Sequence, residues 1–323
     1  MGTALYRPDR RQIMMLAAVA AGLTGGFAER ASSSPAAPAG GAVALENIAE
    51  GVFVYRAPYE LLNPENAGAI ANMSLIVGAE SAAVIDTGNS RLAGEKMLAA
   101  VRGATARPVR YVINTHMHPD HSLGNGAFVG DGVRFVAHHK MPRALSVRSE
   151  TYLAQVERML GPVGEGTTIV LPDLLVDGTM ELDLGGRVLT LQSHPTAHTD
   201  NDLTVLDSAT GTWFLGDLLF VRHIPTLDGS IQGWLTLLDA LARQDVMRAV
   251  PGHGPASVTW PQASAAERRY LDQVRADVRA LIAAGKPMSA APGAASNERS
   301  EWALFDEFNA RNAIAAYHEL EWE

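Results

Sequence analysis

The heptapeptide THMHPDH, Thr115 to His121, constrains this chain more than any other stretch. It follows VRYVIN (109–114), a run rich in β-branched residues that reads as a buried strand. At a strand end, side chains at i and i+2 point the same way, so His116 and His118 can grip one metal ion. Pro119 stiffens the turn, and Asp120 and His121 then point towards a neighbouring position. Two ions side by side is the natural reading. Zn²⁺ takes imidazole and carboxylate at about 2.0–2.2 Å and is usually four-coordinate. These four side chains cannot saturate two ions, so the motif predicts further ligands downstream.

Three candidates follow, each beside an apolar run. HTDNDLTV offers His198 just before a strand, FLGDLLF offers Asp217 where an apolar strand ends at a glycine, and AVPGHG offers His253, again at a strand end, between Gly252 and Gly254. A rigid sheet can aim all three. The chain has no cysteine, which excludes a disulfide framework and any thiolate ligand. A formal net charge of −9 argues against the basic stripe that a nucleic-acid groove requires.

Around these motifs the runs alternate in type. GVFVYRA (51–57), MSLIVG (73–78) and AAVIDTG (82–88) read as strands, with a hairpin turn at GAE (78–80). Ser90 caps a helical run that ends near Gly103, VRFVAH (133–138) is a further strand, and residues 141–160 are helical. A second β-rich block holds TTIVLP (167–172), MELDLGGRVLTLQSH (180–194) and DLTVLDSATGTWFLGD (202–217). Helix 231–243, strand 246–252, helix 262–284, a loop at 289–297 and a last helix complete the chain. The order β-rich, α, β, α therefore occurs twice. It predicts two sheets packed face to face with helices outside.

The N-terminus reads differently. Arg7, Arg10 and Arg11 precede IMMLAAVAAGLTGG (13–26), which is short for a membrane span and reads as a signal-peptide core. The Arg10-Arg11 pair resembles a twin-arginine export signal. The expected organisation is an export signal at 1–31, a small-residue linker at 32–44, and a folded domain with a C-terminal helical extension at 45–323. The expected location is the periplasm. Removing residues 1–31 takes away four arginines and two acids, so the mature charge is −9 − 2 = −11.

From about residue 45 to 260 the chain resembles the metallo-β-lactamase superfamily, through AVIDTG with Asp86, THMHPDH, the His198 and Asp217 motifs and the closing PGHG. The resemblance implies an α/β fold, the αββα sandwich of two mixed sheets with the metals at one edge. It implies that His116, His118 and His198 hold a first ion, that Asp120, His121 and His253 hold a second, and that Asp217 lies between them. Asp86 is then structural, hydrogen-bonded near the site. The implied cofactors are two Zn²⁺, with iron or manganese as alternative occupants. The implied chemistry is a metal-bridging hydroxide that attacks an ester, thioester, lactone or lactam carbonyl. Asp120 would orient the hydroxide and shuttle a proton, as the catalytic carboxylate.

Single residues narrow the resemblance. Without cysteine, the β-lactamase classes with a cysteine ligand are excluded, and Asp217 separates the chain from the all-histidine subclass. The set is closer to glyoxalase-II-like hydrolases, and β-lactam turnover is not specifically indicated. Flavodiiron proteins place a carboxylate where His118 stands. The stretches AHTDNDLTV, GDLLF, HIPTLDGSIQGWL and ELEWE resemble the exported zinc metallohydrolases of quinoprotein relay systems. That likeness implies a periplasmic quinoprotein dehydrogenase as partner, besides a small-molecule substrate. Two alternatives remain: a mononuclear iron sulfur oxidoreductase like the persulfide dioxygenases, and a non-catalytic metal-binding accessory protein. Candidate substrate contacts are His223 with Arg222, in the loop after the Asp217 strand, and His194, at the mouth of the His198 loop.

Overall fold

The structure, a computed structural model, describes residues 41–323. The export signal and most of the expected linker lie outside the described residues. One sheet has seven strands laid in chain order: β1 (Leu45–Ala49), β2 (Val52–Tyr55), β3 (Met73–Val77), β4 (Ala82–Ile85), β5 (Val109–Ile113), β6 (Arg134–His138) and β7 (Leu174–Val176). Strands β1 to β4 pair antiparallel, and β4 to β7 pair parallel. The other sheet has five strands, also in chain order: β8 (Thr179–Asp183), β9 (Val188–Ser193), β10 (Leu203–Asp207), β11 (Thr212–Phe220) and β12 (Arg248–His253). Only β11 and β12 are parallel there.

The side-chain period of two decides the layers. Ala83, Ile85 and Ile113 point inward and meet Val205, Phe214 and Val250 of the second sheet. Their neighbours Val84 and Val112 point outward and pack on Met97 and Val101 of α1 (Arg91–Ala104). Trp213 and Leu215 flank Phe214 and point the other way, into the helices of the C-terminal half. Those helices are α4 (Ile231–Leu241), α5 (Ala265–Ala283) and α6 (Phe305–Leu320), while α2 (Pro119–Ser122) and α3 (Met141–Leu160) belong to the first half. The result is the four-layer αββα sandwich. Ser90 caps α1 as expected, its hydroxyl accepting from Ala93 N at 3.0 Å. No helix among the described residues is long and apolar enough to cross a membrane.

Four readings need correction. TTIVLP is not a strand: Pro172 offers no N–H, and pairing with β6 begins only at Leu174. The strand that follows joins the first sheet, although it lies in the second β-rich block. β1 carried no strand signal because it is a half-exposed edge with Glu46 and Asn47 in its middle. The expected loop at 289–297 contains most of a 3₁₀ turn, Met288–Gly293, and the start of another, Ser296–Glu301.

Candidate metal centre

Strand ends, the loops after them and the short helix α2 bring the seven expected ligands to one edge of the sandwich, with Asp217 inside its strand and not at the end expected for it. Parallel pairing aligns the carboxyl ends of β4 and β5, where Asp86 and His116 stand. A backbone bond from Leu203 N to Thr115 O, 2.8 Å, ties the first sheet's ligand loop to the second sheet. Asp217 sits inside β11, all nine of whose residues are buried. His253 ends β12, and the glycine before it is required. A Cβ on Gly252 would collide with the Asp217 carboxylate and lie 2.8 Å from the Gly216 carbonyl carbon.

Two groups of ligand atoms form there: His116, His118, His198 and Asp217, and beside them Asp120, His121 and His253, each group within 4.8 Å. In the first group the partners fix every proton. His198 Nδ1 lies 2.7 Å from the Thr226 carbonyl, which can only accept, so Nδ1 carries the hydrogen and Nε2 the lone pair. His118 Nε2 donates to Asp228 Oδ2 at 3.0 Å, leaving the lone pair on Nδ1. Thr115 Oγ1 gives its hydrogen to Asp86 at 2.8 Å and accepts from His116 Nδ1 at 3.1 Å, leaving the lone pair on His116 Nε2. These three lone pairs converge: His198 Nε2 is 3.2 Å from His116 Nε2 and 3.0 Å from His118 Nδ1. Facing lone pairs repel unless a cation lies between them. Ligands bound at about 2.0–2.1 Å around tetrahedral zinc stand about 3.3 Å apart, so the donor set fits such an ion.

The second group is arranged through carboxylates. His121 Nδ1 donates to Asp86 Oδ2 at 2.8 Å, so its Nε2 points inward and offers a lone pair once the ring gives up its second proton. That Nε2 and Asp217 Oδ1 are 3.2 Å apart, both buried and neither hydrogen-bonded. Such orphaned atoms are a cation's natural ligands. His253 Nε2 is 3.2 Å from Asp120 Oδ2 and 3.6 Å from Asp217 Oδ2. Asp217 Oδ2 is also 3.5 Å from His198 Nε2 and 3.8 Å from His116 Nε2, so one carboxylate faces both groups.

Protonation divides the groups in the metal-free protein. Burial, reinforced by the charge on His121, pushes His116 well below the usual imidazole range. Burial takes His198 down to about 3, outweighing Asp217. Burial also acts on His253, but Asp217 and Asp120 overcome it and lift the imidazole to about 9. The same contest, with Asp217 and Asp86 winning, raises His121 well above its ordinary value. Asp120 is held below the usual carboxylate range, because His121 and His253 outweigh its burial.

A cavity of about 570 Å³ opens over His118, Asp120, Asp217 and His253. Val147 and Met159 of α3 form one wall, with Phe308 and Arg311 of α6 opposite in the chain's C-terminal segment. His223 lines it, its ring 4.7 Å from that of His253 and its Nδ1 2.7 Å from Ile224 O. The other two expected substrate contacts are not among the lining residues. His194 is buried against Thr204 Oγ1 at 2.8 Å, a packing position rather than a substrate-facing one. Arg222 is exposed, with its backbone at φ +68.

Several supports have no signature in the sequence. Asp228 and the Thr226 carbonyl orient His118 and His198 from a loop 110 and 28 residues away. Asn72 holds the β12 end, with its N–H on Gly252 O at 2.8 Å and its amide on Pro251 O at 2.9 Å. The HIPTLDG stretch could have suggested Asp228 as a loop carboxylate, but nothing local marks Asn72.

A four-layer α/β sandwich with paired buried histidine and carboxylate groups at its sheet edge defines a class of metal-binding sandwich proteins. The model of the metallo-beta-lactamase superfamily matches residues 67–253, and the chain belongs to that family. Among solved structures, a metallo-beta-lactamase from Pontibacter korlensis is 18% identical with a TM-score of 0.56, covering 70% of this chain and 99% of its own. The inverting sec-alkylsulfatase Pisa1 from Pseudomonas sp. is 14% identical with a TM-score of 0.67, covering 86% of this chain and 50% of its own. TMB-1 is 18% identical with a TM-score of 0.55, covering 72% of this chain and 97% of its own. The chain thus spans about half the length of the alkylsulfatase chains it matches. At these identities the likeness is one of fold. Among curated proteins none matches the chain.

Proposed function

We propose that the protein is an exported dinuclear zinc hydrolase that acts on a small ester, thioester, lactone or lactam in the periplasm. Its setting in this reading is alongside a quinoprotein dehydrogenase. The observation that carries the hydrolase reading is the convergence of three lone-pair nitrogens, His116 Nε2, His118 Nδ1 and His198 Nε2, at 3.0 and 3.2 Å. His116, His118 and His198 would hold the first ion, and Asp120, His121 and His253 the second, with Asp217 facing both. Two zinc ions so held would bring the pKa of bound water towards neutrality, from about 15.7 in bulk, and polarise a substrate carbonyl.

The chain's own residues supply the rest. Asp217, 3% exposed and facing both groups, would neutralise charge between them. Of the two carboxylates in the ligand groups, Asp120 is the more open to the cavity, with 17% of its side chain exposed. Held ionised by His121 and His253, it can take a proton from the attacking water and return it to the leaving group. His223 keeps its Nδ1 proton on Ile224 O, so its Nε2 offers an acceptor to a bound substrate. The full chain should hydrolyse members of a panel of aryl esters, thioesters, lactones and β-lactams, with turnover lost to a chelator and restored by zinc. Absence of turnover across that panel by zinc-loaded protein would overturn the reading. Dioxygen consumption by an iron-loaded chain acting on a persulfide would replace it with the sulfur oxidoreductase alternative.

A further inference from the structure

The loop between β11 and α4, residues 221–230, carries both atoms that orient His198 and His118. Backbone bonds to Ala197, His198 and His253 hold the loop in part, and further ties come from beyond residue 253, where the family match ends. Ala303 pairs with it at one end, its N–H on Arg222 O at 2.7 Å and its carbonyl accepting from Ile224 N at 3.1 Å. Glu319 caps the other end, accepting from Ser230 Oγ at 2.6 Å and Ile231 N at 2.7 Å. Between them stands Asn312, in the middle of α6 and 2% exposed. Its Oδ1 accepts from Leu227 N at 2.9 Å, and its Nδ2 donates to Pro225 O at 2.6 Å.

The geometry of the peptide bond makes this specific. The Leu227 N–H and the Thr226 carbonyl belong to one planar trans unit and point in opposite directions. Asn312 holds the N–H end, and the carbonyl end holds His198 Nδ1 at 2.7 Å. Its bond to Pro225 O fixes the preceding peptide as well. The amide can sit only one way, because a carbonyl needs a donor and an N–H needs an acceptor.

We infer that Asn312 is a positioning residue for the first metal position, setting the tautomer and orientation of His198 through the 226–227 peptide. The inference rests on an ion being held by His116, His118 and His198. It gives the C-terminal helix a role in the centre although it supplies no ligand.

The test uses the full chain in a His253→Ala background, so that the first position dominates, with zinc affinity read by chelator competition. Asn312→Leu should weaken zinc about 10–100-fold, the usual cost of removing a group that orients a ligand. The hydrogen-bonded Nδ1 proton of His198 should also vanish from the imidazole region of the proton NMR spectrum. Tyr270→Phe is the control. It removes a hydroxyl 2.9 Å from the Asn312 amide but leaves the loop contacts, so both readouts should stay unchanged. Where Asn312→Leu fails to fold, Asn312→Asp carries the test, since it keeps the acceptor for Leu227 and loses the donor to Pro225. Zinc bound equally by parent and Asn312 variants overturns the inference alone, as does an equal loss in Tyr270→Phe. No zinc in the parent overturns the metal reading and this inference with it.

Discussion

The two ligand groups use the same residue types and reach opposite states. Around His116, His118 and His198 every outer nitrogen meets an oxygen, from Thr115, Asp228 and Thr226 respectively. The inner nitrogens face one another, and burial keeps His198 near 3, unprotonated. Around His121 and His253 the inner nitrogens face carboxylates, and these hold both rings protonated without an ion. The first group is a cage of lone pairs waiting for a cation. The second is a compensated ion cluster that must release protons to accept one. The placement of the carboxylates makes the difference: Asp217 lies closest to His121, at 3.2 Å, and Asp86 and Asp120 add their charge on that side.

The sharpest way to abolish the distinction is Gly252→Ala. The new methyl meets the Asp217 carboxylate, which faces both groups. Turnover should fall about 10²-fold or more, the cost of an ångström of misplacement, and elemental analysis should find both ions depleted. Near-normal metal and turnover would mean that β12 can shift without disturbing Asp217.

Asp86→Asn should divide the groups. The carboxylate accepts from His121 Nδ1 at 2.8 Å and sets that ring's tautomer. An amide facing it lets the proton move to Nε2, and zinc at the second position should weaken about 10–100-fold. The first position should lose less, because the Thr115 N–H can still donate to the remaining amide oxygen and His118 and His198 keep their own partners. Stepwise chelator titration separates the two losses, and equal loss at both positions would contradict the division.

Acidity should separate them too. With His253 raised to about 9, the metal-free protein carries that proton at neutral pH, and ion binding expels it. Affinity at the second position should therefore rise with pH up to about 9, by about tenfold per unit for each proton displaced. His198, lowered to about 3, has no proton to release there, so the first position should stay flat. Parallel pH dependence of the two affinities would break the comparison.

The smallest effect is expected at a residue that belongs to neither group. Ser90→Ala removes the α1 cap and should cost ~1 kcal/mol in denaturant unfolding, with metal affinity unchanged.

The sequence reveals the ligands better than what holds them. HxHxDH is local, and His198, Asp217 and His253 each stand beside an apolar strand, so strand physics announces them. The layer order was legible for the same reason, through alternation such as Ala83-Val84-Ile85. The supports were not. Asp228, Asn72 and Asn312 are single polar residues whose partners lie 110, 179 and 85 positions away, and no periodicity marks a contact of that kind. His194 shows the converse error. A histidine four residues before a ligand looks chemical in sequence, yet the register of β9 and β10 turns it onto Thr204. Arg222 looked like His223's companion, but it is exposed and does not line the cavity.

The most direct measurement is zinc and iron per chain in full-length protein purified without added metal. The two-group account predicts close to two zinc ions, the second lost first as the pH is lowered. A single iron per chain would contradict it, because the Asp120, His121 and His253 group would then serve no ion.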